Sequence, residues 1–460
     1  MIHLKYMKLT NLKLLNRGMG LFCLGFLILL PFGNGGLEGD QRNLLSSERS
    51  DNWNFIVPFV YGQWPDFLVS WKNSLTVFQL LLFWLGIYLI FKNFQFDRLS
   101  ACIFFFLFYV STFFTANLFR DASLFALSVL GIGFVFEASR RKSLGKYLYF
   151  SMGIVCLLLA SMFKPFYSLI LSLVLLNAIS VIFSIKPRDI FKLIPVPVLI
   201  LIFSFTINNI LSESFNLRSV YPEQQPIIMD LSAQYCWGTN PEQIAMAGNA
   251  LKGLVKDKYP LRSLCSSLRP DSWDNLHNYP EKWQYSSPIN RITNEGDKDE
   301  SDKLVSKLIN RWMSLIITHP VDWLQVRLYF LGPTLFASNS FTANIVSQTS
   351  DVDQHSYLSK TWNLLLVPAL ALDKLRVTSI GFGLIILAFF YNNYRNKTIK
   401  NVGDKFKTQY TLLISLITLI MTLIFGTLVS VASNGRYFLP YILLTFFIVI
   451  RSRRTGCNSS

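Results

Sequence analysis

The sequence is poor in charged residues. Asp, Glu, Lys and Arg make up only 15% of its 460 residues, whereas soluble chains carry roughly a quarter. Hydrophobic residues account for 52%, with 40 Phe among them, and the mean hydropathy is +0.37. This composition indicates a membrane protein. The net charge of +16 does not point to nucleic acid, because the basic residues form short clusters between apolar stretches instead of one continuous face.

Several motifs of metal and nucleotide sites are also missing. The six cysteines and four histidines form no CxxC or HxxxH pair, which argues against a Cys/His metal site. No Gly-rich phosphate loop with GK[ST] occurs, which argues against an ATP-driven pump. The chemistry must therefore use carboxylates, cations and aromatic side chains.

The chain contains many long apolar runs. Runs that approach the roughly 20 residues needed to cross a bilayer predict an all-α polytopic membrane protein with about ten transmembrane helices. The predicted spans are 19–33, 73–91, 100–118, 122–138, 147–163, 166–184, 193–211, 374–392, 410–431 and 435–450. They divide the chain into an N-terminal membrane module (1–211, with a first outer loop at 34–72), an extracytoplasmic domain (212–373) and a C-terminal module with a basic tail (374–460).

The distribution of basic residues sets the expected orientation. With the N-terminus in the cytoplasm, the cytoplasmic segments hold many Lys and Arg against three acids, Asp97, Asp189 and Asp404. Such a bias predicts that both termini lie inside. The apolar segment 321–337 is then expected to lie on the outer surface, because counting it as a span would move the basic loop 393–409 outside. A second interfacial helix is expected near Leu364–Leu375.

Two cysteines, Cys236 and Cys265, fall in the long outer segment. An oxidising compartment would allow a disulfide between them. The sequence leaves this open, because it does not tell whether their Cα atoms approach each other.

Acids and cations also gather at the predicted outer boundary of the membrane. The first outer loop contains Asp40, Asp51 and Asp66, and the next outer turn contains Arg120 beside Asp121. An ion pair between two apolar stretches is a functional candidate, although Arg120 could also simply pair with Asp121 or reach lipid headgroups. Lys164 lies at the end of the fifth predicted span and Arg436 at the start of the last one, on the same side of the membrane. Each is a candidate phosphate ligand or an interfacial anchor.

Such a set suits a substrate with an anionic phosphate and a hydroxyl to be activated. A carboxylate can deprotonate or orient the hydroxyl, while cations neutralise the phosphate that leaves.

Several segments carry a resemblance to a known family. They are SDNWNFIVPFVYGQW before TVFQLLLFW, then LFRDASLFALSVL, QQPIIMDLSAQ, THPVDWLQVRLYF and GRYFLPY. In this order they resemble the GT-C superfamily, which comprises polytopic membrane glycosyltransferases that take a sugar from a polyprenyl-phosphate carrier. The resemblance covers most of the chain, and similar segments in a similar order occur in bacterial members whose substrates are mostly undefined.

The resemblance implies roles for particular residues. The first-loop catalytic acid would be Asp51, with Asp40 and Asp66 as alternatives, and the second-loop acid would be Asp121. The chain departs here from the commoner Asp-Glu pair of the first loop. Arg120, Lys164 and Arg436 would hold the donor phosphate, and Asp230 and Arg327 would shape the outer domain or meet the acceptor. Some members need a divalent cation and others do not, so the metal stays undecided.

The function implied is sugar transfer from a polyprenyl-phosphate carrier to a glycan or lipid acceptor, on the outer face of a bacterial cytoplasmic (inner) membrane. The expected partners are the bilayer, the lipid-linked sugar and the acceptor, with no nucleic acid. Two alternatives remain. A polysaccharide polymerase or ligase shares the many spans and one large outer loop. A lipid-linked glycan transporter without catalysis would carry ionisable groups inside its spans, which are rare here.

Overall fold

The computed structural model describes residues 74–92, 120–163, 195–214, 224–255, 259–270 and 298–330, with positions 171–172, 175–176, 179, 276 and 420. This part of the chain is helical and contains no β-strand. Its helices are α1 (Ser74–Lys92), α2 (Arg120–Ala138), α3 (Ser143–Phe163), α4 (Pro195–Ser214), α5 (Gln224–Trp237), α6 (Pro241–Lys252), α7 (Lys298–Thr318) and α8 (Pro320–Leu328), with a short 3-10 helix at Leu261–Leu264.

Helices α1 to α4 coincide with four of the predicted apolar runs. Among the described residues, α3 alone is long and apolar enough to cross a bilayer by its length and composition. Its 21 residues rise about 31 Å, close to the roughly 30 Å of a hydrocarbon core. Shorter apolar stretches lie within the other three helices, at Val77–Ile90, Ala122–Ala138 and Val198–Leu211. Of the remaining predicted spans, 166–184 is described at five helical positions, 410–431 at Ile420, and the rest lie outside the described residues.

Helix α2 packs between α1 and α3 through glycines. A Cβ built on Gly86 of α1 would lie 2.6 Å from the backbone nitrogen of Leu130, and one on Gly133 would lie 2.8 Å from the Gly86 carbonyl oxygen. On the other side, a Cβ on Gly131 would lie 3.0 Å from the Gly153 carbonyl oxygen of α3. Small residues let apolar helices approach this closely, which is a common way to pack helices in lipid.

Polar side chains add links between these apolar helices. The Ser123 hydroxyl of α2 donates to Gln79 Oε1 of α1 over 2.5 Å, and Ser161 of α3 bonds Ser204 of α4 over 2.6 Å. At the far end of α2 the buried Glu137 pairs with Arg141, with 2.7 Å between carboxylate and guanidinium. Each of these buried side chains thus has a partner, which offsets the cost of burying a polar group in an apolar setting.

Helices α5 to α8 form a second core. Apolar residues of α5 and α6, among them Ile228, Leu231 and Leu251, pack against Leu308 and Leu315 of α7 and against α8. Local signals explain where two helices start. At the start of α6, the side chain of Asn240 accepts a hydrogen bond from the Glu242 backbone N–H, and Pro241 is the first helical residue. At the start of α8, Pro320 is the first helical residue.

Candidate functional site

Most residues of the expected catalytic site lie outside the described part of the chain. They are Asp40, Asp51, Asp66, Lys164 and Arg436. The expectation that these groups converge on one outer cavity therefore stays a prediction.

Arg120 and Asp121 occupy the first two positions of α2. A helix N-terminus carries a partial positive charge from its unpaired N–H groups, so this is a favourable position for an acid. Two residues further on, Ser123 binds Gln79, whose side chain is only 3% exposed. The start of α2 is thereby held against α1, and Gln79 is a buried polar residue near this end that the sequence analysis did not single out.

Asp230 and Arg327, which the sequence analysis expected to shape an outer domain, meet in a buried cluster. The Asp230 carboxylate of α5 accepts hydrogen bonds at Oδ2 from two indole N–H groups, those of Trp312 over 2.6 Å and Trp323 over 2.7 Å. Its Oδ1 accepts from Gln234 over 3.2 Å and lies 3.5 Å from Nη1 of Arg327. A single carboxylate thus joins α5, α7 and α8.

Arg327 is one of the largest fully buried side chains in the described part, at 1% exposure. Its guanidinium lies 4.4 Å from the centre of the Phe330 ring, a cation–π distance. Burial lowers the pKa of the Arg327 guanidinium from its ordinary value, and the charge of Asp230 opposes this change. An arginine is nevertheless charged at any physiological pH, so the cluster holds a paired cation and anion.

A second polar layer borders this cluster. Gln243 of α6 donates from Nε2 to Gln234 Oε1, and Gln234 donates in turn to the backbone carbonyl of Trp323 over 3.4 Å. Asn240 donates to Asp322 of α8 over 2.7 Å. These bonds fix α8 against the α5–α6 pair.

Cys236 and Cys265, the pair named from the sequence, form a disulfide with sulfur atoms 2.03 Å apart and Cα atoms 5.4 Å apart. It ties the end of α5 to the residue that follows the 3-10 helix, 29 positions along the chain. Closing a loop of this length contributes about 3–4 kcal/mol in the chain-entropy description.

The cluster's chemistry is that of a structural junction. Asp230 and Arg327 are each 1% exposed, so a substrate could reach them only if the helices separated. Within the described ranges no group of three or more His, Cys, Asp or Glu side chains is arranged to hold a metal ion. The indole partners Trp312 and Trp323 were not anticipated, although Trp323 stands in the quoted THPVDW segment.

Comparisons with protein-family models, with curated proteins and with solved structures found no match.

Proposed function

We propose that the chain is an integral membrane glycosyltransferase that moves a sugar from a polyprenyl-phosphate carrier to a glycan or lipid acceptor. Its fold is proposed to be a GT-C-like array of about ten transmembrane helices with a small, mostly helical outer domain. The chain lies in a bacterial cytoplasmic (inner) membrane with both termini inside. The apolar helices α1 to α4 and the bias of basic residues support this topology.

One observation carries the proposal. The segments QQPIIMDLSAQ and THPVDWLQVRLYF, two of those that resemble the superfamily, are far apart in the sequence but meet side by side. The hydrogen bond between Trp323 and Asp230 joins residues 93 positions apart. The two segments thus form one buried unit, as segments that the resemblance assigns to the same outer domain should do.

The proposed mechanism uses groups at the outer boundary of the membrane. A lipid-linked sugar enters laterally between spans, and its phosphate meets Arg120, Lys164 and Arg436. The carboxylate of Asp51, assisted by Asp121, takes the proton of an acceptor hydroxyl. That oxygen forms a bond to the anomeric carbon as the bond from this carbon to the phosphate oxygen breaks. The leaving phosphate keeps the electron pair, and the cations stabilise its charge.

The test is sugar transfer by the purified full-length protein in lipid nanodiscs. The donors are radiolabelled polyprenyl-phosphate-linked hexoses and pentoses, and the acceptors are the envelope glycans and lipids of the producing strain. Loss of a general base typically lowers the rate about 10²–10⁴-fold, so Asp51→Asn and Asp121→Asn should each reduce transfer strongly. Glu242→Gln, the same change at an exposed acid of α6, should leave transfer unchanged.

The other outcomes separate the alternatives. Full activity in both Asn variants would remove Asp51 and Asp121 from the mechanism. Transfer of a whole oligosaccharide from a diphosphate-linked donor would identify a polymerase or ligase instead. Movement of a lipid-linked glycan across the bilayer without bond formation would identify a transporter.

A further inference from the structure

Exposed aliphatic side chains follow one another on the surface of α7 and α8. Ile317, in the last turn of α7, is 72% exposed, and Val321, in the first turn of α8, is 75% exposed. Leu324 and Leu328 continue the row along α8 at spacings of three and four residues, at 41% and 50% exposure, so they share one face of that helix. We call these four residues the aliphatic ridge. Four exposed aliphatic side chains at the junction of two helices are typical of a surface that contacts a membrane or another protein.

A basic stripe lies on the exposed face of α7, before the ridge. Lys303, Lys307 and Arg311 recur every four residues and are exposed. With Ser306, Asn310 and Ser314 they line a shallow depression of about 650 Å³. No acid occurs between Lys303 and Thr318. Arg311 is held in place by a 3.0 Å hydrogen bond from Nη1 to the backbone carbonyl of Asn249.

Helix α7 therefore combines cations and apolar residues on its solvent side. Its opposite face is buried through Val305, Leu308 and Leu315. Helices that lie in the plane of a membrane have this composition, with Lys and Arg at the headgroups and aliphatic residues below them. The cations complement the anionic phosphates of lipid headgroups.

The connection to α4 keeps this surface near the bilayer. Residues 215–223 join the end of apolar helix α4 at Ser214 to the start of α5 at Gln224, a stretch that reaches at most about 35 Å. Helix α8 is fixed to α5 through the bonds from Trp323 to Asp230 and from Gln234 to Trp323. The ridge is thus tethered close to a membrane-inserted helix.

We propose that the aliphatic ridge and the basic stripe form a docking surface for the anionic phospholipid bilayer, with the ridge immersed among the acyl chains and the stripe on the headgroups. The proposal rests on the membrane insertion that belongs to the proposed function, and it adds the partner that covers this face. It predicts that the outer domain lies down on the membrane instead of standing free of it.

The test places a fluorescent NBD label at Val321→Cys in the full-length protein, with every cysteine except Cys236 and Cys265 replaced by serine and the disulfide verified on a non-reducing gel. The matched control is Gly253→Cys at the end of α6, where an added Cβ meets no atom within 4 Å. In nanodiscs of phosphatidylcholine and phosphatidylglycerol, the label at 321 should emit at shorter wavelength and lose fluorescence to doxyl-labelled lipids. The label at 253 should do neither.

The stripe is tested in the same nanodiscs. Lys303→Gln with Lys307→Gln should reverse part of the blue shift at 321, and so should 1 M salt, which shortens the Debye length to about 3 Å. In nanodiscs of phosphatidylcholine alone the double variant should have no effect.

Three results would overturn the proposal. They are equal quenching at 321 and 253, no quenching at 321, or a blue shift at 321 that depends on protein concentration and ignores the doxyl lipids, which would assign the face to a second copy. None of these readouts needs sugar transfer. A positive docking result would therefore stand even if no sugar transfer is observed. A negative docking result would likewise leave observed sugar transfer standing.

Discussion

At the scale of single residues, Asp230 is the clearest structural determinant of the unit formed by α5 to α8. A buried carboxylate is costly unless its oxygens are bonded. Asp230 accepts hydrogen bonds from two indole N–H groups and one amide, and it forms an ion pair with the Arg327 guanidinium at 3.5 Å. Its partners come from α5, α7 and α8, so the residue favours one mutual arrangement of these helices over others that would bury similar apolar area. Asp230 acts by fixing the positions of these helices, and its side chain is buried.

Asp230→Asn removes the negative charge of this side chain and keeps its size and shape. The amide oxygen can still accept from an indole, but the buried guanidinium of Arg327 loses its counter-ion. Removing one partner of a buried ion pair typically costs about 3–5 kcal/mol. We therefore expect a large drop in the unfolding temperature of the outer domain, measured by tryptophan fluorescence, to which Trp312 and Trp323 report directly.

Two further variants make the result specific. Glu242→Gln makes the same chemical change at an exposed acid of α6 and should change the free energy of unfolding by less than about 1 kcal/mol. Adding Arg327→Met to Asp230→Asn should restore part of the loss, because no buried charge then remains. If the double variant is as unstable as the sum of the single ones, the ion pair is not the source of the effect.

Only some residues of this cluster could be identified from the sequence. Asp230 and Arg327 were candidates through the resemblance of their segments to the GT-C superfamily, and the two cysteines because both fall in the long outer segment. Trp323 was placed only within the segment 321–337 expected on the outer surface, and Trp312 was given no role, because a tryptophan by itself does not indicate a carboxylate partner. Their common acceptor lies 82 and 93 positions away, and nothing in local spacing encodes such a pairing.

At the scale of helices, long apolar runs predicted where the first four described helices form better than how they pack. Runs 73–91, 122–138, 147–163 and 193–211 correspond to α1–α4 within a few residues, since a long apolar run in a membrane has few alternatives to a helix. The packing partners depend on single glycines. Gly86, Gly131, Gly133 and Gly153 look alike in the sequence, and only the structure distinguishes a glycine at a helix contact from one such as Gly145.

Gly86→Ala tests the α1–α2 contact. The new methyl group would meet the backbone of Leu130 at 2.6 Å, and backbone atoms cannot move aside without displacing the helix. Overpacking of this kind costs about 1–3 kcal/mol, so the unfolding temperature of the detergent-solubilised protein should fall.

Gly145→Ala in α3 is the matched control. Its added methyl group would lie 3.6 Å from the nearest atom, Cβ of Arg141, which is an ordinary contact. Alanine also favours helix over glycine by roughly 1 kcal/mol, so this variant should be neutral or slightly more stable. Equal losses in both variants would mean that α1 and α2 do not approach as closely as the glycines indicate.

At the scale of the whole molecule, the path of the chain depends on whether the segment 321–337 crosses the bilayer. Helix α8 begins at Pro320 and ends at Leu328. Its nine residues rise about 13 Å, less than half of the roughly 30 Å hydrocarbon core. Its buried side holds Val326 and Arg327, which commits it to the outer domain. The expectation that this helix lies on the outer surface, which keeps the basic loop 393–409 inside, stays a prediction.

Reporter fusions test this topology over the full chain. A phosphatase that becomes active only after export should be inactive when fused after Lys146, active after Gly253 and inactive again after Lys405, because positive loops stay in the cytoplasm. Immunoblots of each fusion control for expression. Activity after both Gly253 and Lys405 would mean that an even number of crossings lies between these two positions, as a span at 321–337 in addition to the one at 374–392 would produce. Inactivity after Gly253 would instead place the disulfide and the Asp230 cluster in the cytoplasm, where thiols are kept reduced, and would remove the outer-face site altogether.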